Sequence, residues 1–250
     1  MLLFASEEDV TLRRSTALSL VALLGALYVP TPVGGQRPQQ VPQAPITADT
    51  PLTEVRTRAT HGDATAQNSL GYRYVTGEGV PQDFTQAVRW YRLSAEQGNA
   101  VAQNNLGVRY GNGEGVPQDF SAAMRWYLMA AEQGLAAAQD NLGTMYRTGD
   151  GVAQDFTEAV RWYRLSAEQG DAAAQYNLGA MYGTGRGVPR DYVEAHTWRT
   201  LAASRATGDN KKRYAETRDA VAKAMTEAQL AEAQKRADDW EAAFALRKRQ

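Results

Sequence analysis

Apolar residues recur at four-residue intervals over two short stretches, and the pair of stretches then returns along the chain. Ala66, Leu70 and Tyr74 form the first series, one side of a helix from about Ala64 to Thr76. Ala87, Trp90, Tyr91 and Ala95 form the second, the apolar side of another helix that ends at Gly98. Both series come back with a constant step of 36 residues. Gly71, Gly107, Gly143 and Gly179 fall on that step, as do Asp83, Asp119, Asp155 and Asp191, and Trp90, Trp126, Trp162 and Trp198. A period of this size marks a solenoid whose unit is one supersecondary element, here a helix hairpin. A single hairpin cannot bury both stripes, so the units are stable only when stacked. The pattern predicts an all-α fold.

The residues between the stripes act as punctuation. Asp63, Asn99 and Asp171 stand where the first helix of a unit needs an N-cap, and Leu135 breaks that series in the third unit. Gly77-Glu78-Gly79-Val80-Pro81 ends the first helix, and Asp83 caps the second. Gln86, Glu158 and Glu194 follow their Asp by three residues and predict capping boxes in units one, three and four, with Ala122 leaving unit two without one. Gly71 and its equivalents lie inside a helix, at a cost of about 1 kcal/mol relative to Ala. Their recurrence predicts a close approach by the neighbouring helix.

Beyond the fourth unit the periodicity fades. Asn210–Ala224 and Glu227–Leu246 read as two capping helices, the second opened by a Thr226/Gln229 capping box and carrying Ala228, Ala231, Ala233, Ala237 and Trp240 on its apolar side. Leu52–Thr60 reads as a helix ahead of unit one. Before it, Pro30 to Pro51 is rich in Pro, Gln and Gly and is expected to be an extended linker. Arg13-Arg14 precedes the apolar stretch Ser15–Val29, and Val33-Gly34-Gly35 supplies small residues for a cut before Gln36. Residues 1–35 are therefore expected to be an export signal, or, if retained, a membrane anchor through 15–29. Glu7, Glu8 and Asp9 are wrong for a basic leader, and a start nearer Val10 or Leu12 would remove that objection.

Composition removes several chemistries. The formal net charge is −1, which disfavours bulk binding to nucleic acid or acidic lipid. No Cys is present, so thiolate zinc sites, disulfides and a Cys nucleophile are excluded. Only His61 and His196 are available for histidine chemistry. His196 stands where other units have Val88, Met124 and Val160, a semi-apolar position that favours a structural role. Gly183-x-Gly185-x-Gly187 has a helix before it, whereas a dinucleotide fingerprint needs a strand there. Arg89, Arg125 and Arg161 are expected on a solvated side. No cofactor and no metal follow from these residues.

The residues Ala64-x-Ala66-Gln67, Leu70-Gly71, Tyr74, Gly77-x-Gly79-Val80, Asp83, Ala87, Trp90-Tyr91, Ala95-Glu96 and Gly98 carry a resemblance to the Sel1-like repeat family. It covers about residues 52–206, in units 63–98, 99–134, 135–170 and 171–206. Unit four departs from the pattern at Arg199 and at Ser204-Arg205-Ala206. The resemblance implies an α/α superhelical solenoid related to tetratricopeptide repeats, and a role as a non-enzymatic adaptor for a protein or peptide partner. If the first helices line the concave face, as that relationship implies, two columns of residues face a ligand. One is Asn68, Asn104, Asp140 and Tyr176; the other is Ser69, Asn105, Asn141 and Asn177. Amides of this kind can pair with an extended peptide backbone. Tyr72, Arg73, Val108, Arg109, Thr144 and Tyr176 would tune specificity. A secreted hydrolase acting on cell-wall or β-lactam substrates is the first alternative, and an RNA-binding helical repeat the second. No nucleophile–base pair supports the first, and the lack of basic columns opposes the second.

Overall fold

Each local signal above becomes a helix or a joint. The computed structural model describes residues 45–249. The expected export signal, the apolar stretch 15–29 and most of the linker lie outside the described residues. Within them are eleven helices and no strand. Helix α1 spans Leu52–Thr60. Four hairpins follow: α2 (Ala64–Thr76) with α3 (Phe84–Glu96), α4 (Ala100–Asn112) with α5 (Phe120–Glu132), α6 (Ala136–Thr148) with α7 (Phe156–Glu168), and α8 (Ala172–Thr184) with α9 (Tyr192–Arg205). Helices α10 (Gly208–Ala222) and α11 (Glu227–Arg247) complete the chain. Each helix from α1 to α9 packs against the next in sequence, so the contacts are local and the hairpins form an α/α solenoid.

Inside a hairpin, a tyrosine of the second helix lies on bare backbone of the first. A Cβ on Gly71 would stand 2.7 Å from the Tyr91 ring, one on Gly107 2.7 Å from Tyr127, and one on Gly143 2.6 Å from Tyr163. The alanines and leucines of the stripe, Ala66, Leu70, Ala87 and Ala95 in the first unit, are fully buried around that contact. In unit four Arg199 replaces the tyrosine and lies across Gly179, where a Cβ would meet its Cγ at 2.9 Å.

Between hairpins, two features repeat. A buried glutamine on each first helix reaches back to the previous helix end: the Nε2 of Gln67, Gln103, Gln139 and Gln175 donates to the carbonyls of Ala59, Ala95, Ala131 and Ala167. These carbonyls belong to the last turn of a helix, where intrahelical partners run out. Gln97, Gln133 and Gln169 then donate to the glutamine oxygens at 2.7–2.8 Å. Gln175 Oε1 has no such donor, because Arg205 stands at the corresponding place and turns to Glu241. The second feature is the loop glycine of the following unit. Gly115 (φ 75°) and Gly187 (φ 72°) sit against the backbone of Phe84-Thr85 and Phe156-Thr157, so closely that a Cβ would overlap the Phe carbonyls.

The caps match the expectation in part. Asp63, Asn99 and Asp171 accept backbone N–H bonds, and Leu135 makes no side-chain cap. Asp83, Asp119, Asp155 and Asp191 cap the second helices. The capping boxes expected at Gln86, Glu158 and Glu194 do not close. The N–H of each capping Asp already donates to a tyrosine carbonyl of the first helix, as Asp83 does to Tyr74 at 2.9 Å and Asp155 to Tyr146 at 2.9 Å. Glu158 pairs instead with Arg161, and Glu194 accepts from Trp198 Nε1 and Arg236. The Thr226/Gln229 box does form.

The ends also differ from the sequence pattern. Ile46 packs against the Val55, Ala59, Ala66 and Leu70 cluster, and Arg73 donates to the carbonyls of Ala48 and Thr50, so the docked chain begins before Leu52. Helix α11 lies on α9 with Ala233 and Ala237 buried and Trp240 edge-on to Trp198, whereas Ala228 and Ala231 are exposed. Its Phe244 covers Gly170.

The loop joint gives a direct test. Gly115→Ala is expected to cost about 3 kcal/mol or more, because strain at positive φ adds to a clash with rigid backbone. Gly79→Ala, whose new Cβ would meet only the flexible Leu52 side chain at 3.4 Å, should cost about 1–2 kcal/mol. Urea unfolding followed by far-UV circular dichroism would rank the two.

Candidate functional site

Equivalent residues of successive first helices come side by side when identical hairpins stack. This places the two columns next to each other, and they bond. Asn105 Nδ2 donates to Asn68 Oδ1 at 3.1 Å, Asn141 to Asn104 at 2.9 Å, and Asn177 to Asp140 at 2.9 Å. The second column donates and the first accepts in every rung, across a separation of 37 residues each time. All six side chains are half-buried. Ser69 is also half-buried and has no preceding hairpin to bond.

The row continues one step past the fourth hairpin. Helix α10 begins 36 residues after α8 and takes the first-helix place of a fifth unit. Arg213 thereby stands one step beyond Asn177, and its guanidinium lies 5.5 Å from the centre of the Tyr176 ring. The last rung is a cation–π contact instead of an amide bond. Tyr176 also stacks on Tyr214, with ring centroids 4.3 Å apart and planes at 15°. Arg199 approaches the same ring at 6.0 Å. Arg199, Arg213 and Tyr214 were not among the residues expected from sequence. The 36-residue step carried into α10 was the available signal.

Of the residues expected to tune specificity, Tyr72 is the most open, with 52% of its surface exposed. Val108 is half-buried against the core of the second and third hairpins, and Thr144 Oγ1 lies 3.2 Å from Tyr163 Oη. Arg73 and Arg109 do not face a ligand. Arg73 is buried and tied to the chain before α1, while Arg109 pairs with Glu114 at 2.5 Å and lies over the Phe84 ring. Arg89, Arg125 and Arg161 are exposed on the second helices. His196 is buried on α9 with Nδ1 3.4 Å from Thr200 Oγ1, and His61 Nδ1 is 2.6 Å from the Thr57 carbonyl. Burial holds the His196 pKa below its ordinary value; the Arg218 charge adds to this and Asp219 opposes it.

The second helices carry two shallow grooves of their own. One, of about 310 Å³, is lined by Thr85, Val88, Arg92, Leu93 and Val116 among others. The other, of about 290 Å³, is formed by the equivalent residues around Val160, Leu165 and Val188. Repeat two has Leu128 and Met129 at these positions, both partly exposed. Among the described residues no cluster of His, Cys, Asp or Glu could hold a metal ion, and no helix is long and apolar enough to cross a membrane.

Asp140 is the one acid in the ladder. Burial raises its pKa to about 6, with the Asp171 charge adding to the effect and the Asn177 hydrogen bond and Arg147 charge opposing it. Between about pH 4 and pH 6 the folded chain therefore binds more protons here than the unfolded chain, and stability falls as pH rises. Asp140→Asn keeps an acceptor for Asn177 and removes the charge. It is expected to raise stability by about 1–2 kcal/mol at pH 8 and to leave it unchanged near pH 3, read from denaturant midpoints at the two pH values.

A family model described as the Sel1 repeat matches residues 64–99, 100–135, 136–171 and 172–206. Among solved structures, a protective antigen present in uropathogenic Escherichia coli strains and displaying an SLR fold is 48% identical over 64% of this chain, with a TM-score of 0.61. The match covers 34% of that antigen, so the chain spans about a third of its length. A Sel1 repeat protein from Oxalobacter formigenes is 36% identical, with a TM-score of 0.57, covering 66% of this chain and 68% of its own. No curated protein matches. The four hairpins, three of them closed by a glycine–tyrosine contact, and the family match across all four establish that the chain belongs to the Sel1 repeat family.

Proposed function

We propose that this Sel1 repeat chain is a non-enzymatic adaptor that holds an extended peptide or protein segment along the face formed by its first helices. The observation that carries this reading is the side-chain ladder. Each rung fixes two amides, or an amide and a carboxylate, yet spends only part of their bonding capacity. Asn105 and Asn141 keep an oxygen and an N–H, and Asn68 and Asn104 keep their amide nitrogens, at half-buried positions. Groups already locked in one rotamer lose little entropy when a ligand binds, which favours recognition of a backbone. Most scaffold positions, such as the helix glycine, the capping aspartate of the second helix and the tryptophan, are the same in every hairpin, while this row changes from Asn to Asp to Tyr and Arg. That variation suits selection of a partner and does not suit a single catalytic constellation.

The same reading places the chain outside the cytoplasm. It is supported by Arg13-Arg14, the apolar stretch Ser15–Val29 and the small residues Val33-Gly34-Gly35. Retention of that stretch would instead tether the solenoid to a membrane.

A photo-crosslinking amino acid at position 72 or 104 should form adducts with the partner in the native host, whereas one at position 93, in the second-helix groove, should not. Adducts from position 93 alone would move the binding site to the other face. Asn105→Ala with Asn141→Ala should weaken binding at least tenfold while the helical circular dichroism signal is kept. N-terminal sequencing of the natively expressed protein should begin near Gln36; a chain with residues 1–35 intact in the cytoplasm would refute export.

A further inference from the structure

Arg199 and Arg213 meet around Tyr176, and burial separates Arg199 from exposed arginines without a carboxylate partner among the described residues, such as Arg89, Arg92 and Arg125. Arg109, Arg161, Arg205, Arg218 and Arg236 each pair with a carboxylate. Arg199 and Arg213 have no carboxylate partner among the described residues. Arg199 is half-buried, donates from one terminal nitrogen to the Thr217 carbonyl at 2.8 Å, and leaves its buried Nε without an acceptor. A guanidinium in this position loses hydration with no counter-charge to offset the loss.

The fourth hairpin lacks the polar neighbours that the third provides at this place. In unit three the corresponding phenol, Tyr163, bonds Thr144 and Arg147. Unit four has Ala180 and Gly183 at those two places, so nothing of its own first helix meets the guanidinium there. A Cβ on Gly183 would make ordinary van der Waals contact with Ala195 Cβ at 3.6 Å and with an Arg199 terminal nitrogen at 4.0 Å, so the guanidinium lies beside apolar backbone there. Arg213 is exposed and completes the row of amides along the first helices.

We propose that Arg199 and Arg213, set around the Tyr176–Tyr214 stack, form a carboxylate-binding site at the α10 end of the first-helix face, so that the bound segment carries an Asp, a Glu or a chain terminus there. This deepens the adaptor reading and rests on it. Charge complementarity selects the occupant. A carboxylate supplies the missing counter-charge and acceptors, and guanidinium–carboxylate bonds are among the stronger hydrogen bonds available. A nucleic-acid backbone fits less well. Its phosphates would run on from Arg213 past Asp140, two hairpins along the same row, and meet a like charge.

The test uses peptides selected by phage display on the immobilised full chain, then synthesised and measured by fluorescence anisotropy. Selected peptides should carry Asp or Glu at a fixed position. Their affinity should fall at least tenfold with Arg213→Glu and with Arg199→Tyr, a residue the other three hairpins accommodate and which therefore preserves the fold. Changing the peptide acid to Lys should restore binding to the Arg213→Glu variant. Peptides that lose affinity with Tyr72→Ala but are neutral and indifferent to both arginine variants would overturn the carboxylate site and leave the adaptor reading standing. Peptides indifferent to Tyr72→Ala and to both arginine variants would overturn both, as would failure to select any. Arginine-dependent binding of a single-stranded oligonucleotide, without binding of acidic peptides, would also overturn the carboxylate site.

Discussion

The rest of the structure depends on a tyrosine ring lying on bare helix backbone. Tyr91, Tyr127 and Tyr163 can reach Gly71, Gly107 and Gly143 because no Cβ intervenes. The glycines weaken the helices that contain them, by about 1 kcal/mol each. The close approach they permit buries the small alanine stripes and repeats at nearly the same distance in three of the hairpins, with Arg199 taking the tyrosine's place in the fourth. A solenoid needs this uniformity. Where the spacing repeats, the buried glutamines and loop glycines that join neighbouring hairpins can repeat too.

Uniform joints bring corresponding residues of the first helices into line, and the amide ladder is a consequence of that alignment. The half-buried row serves two purposes at once. Its rungs add hydrogen bonds between hairpins, each worth about 1 kcal/mol net. Its unused donors and acceptors remain in fixed positions along one face. Replacing Asn by Asp140 and then by Tyr176, and continuing the row with Arg213, alters charge and shape along that face without disturbing the joints. The fourth hairpin goes further, exchanging the packing tyrosine itself for Arg199. There the architecture gives up a neutral buried ring for a cation that no carboxylate of the described chain neutralises.

Much of the fold was legible because the signals are local and recur four times. The helix bounds within the repeats, the aspartate caps and the close approach at Gly71 all follow from spacing and from the conformational limits of Gly and Pro. The misreadings share one cause, which is competition for partners that sequence spacing does not display. Gln86, Glu158 and Glu194 have the right separation for capping boxes, but the tyrosine carbonyl of the first helix takes the N–H they would have accepted. Arg73 and Arg109 fall near the variable face, yet the chain before α1 and Glu114 draw them inward. Helix α11 was assigned a broad alanine side, but its neighbour α9 covers only the line through Ala233 and Ala237.

The sequence by itself determined the all-helical repeat, its period of 36 residues and the columns of residues that vary within it. These properties depend on backbone preferences and on the periodicity of apolar side chains, which act over a few residues. Tertiary structure alone decided that the two columns interlock, that α10 extends their row, and that Arg199 and Arg213 meet around one aromatic stack. Those outcomes depend on stacking separate hairpins at a fixed distance, which brings together side chains about 37 residues apart.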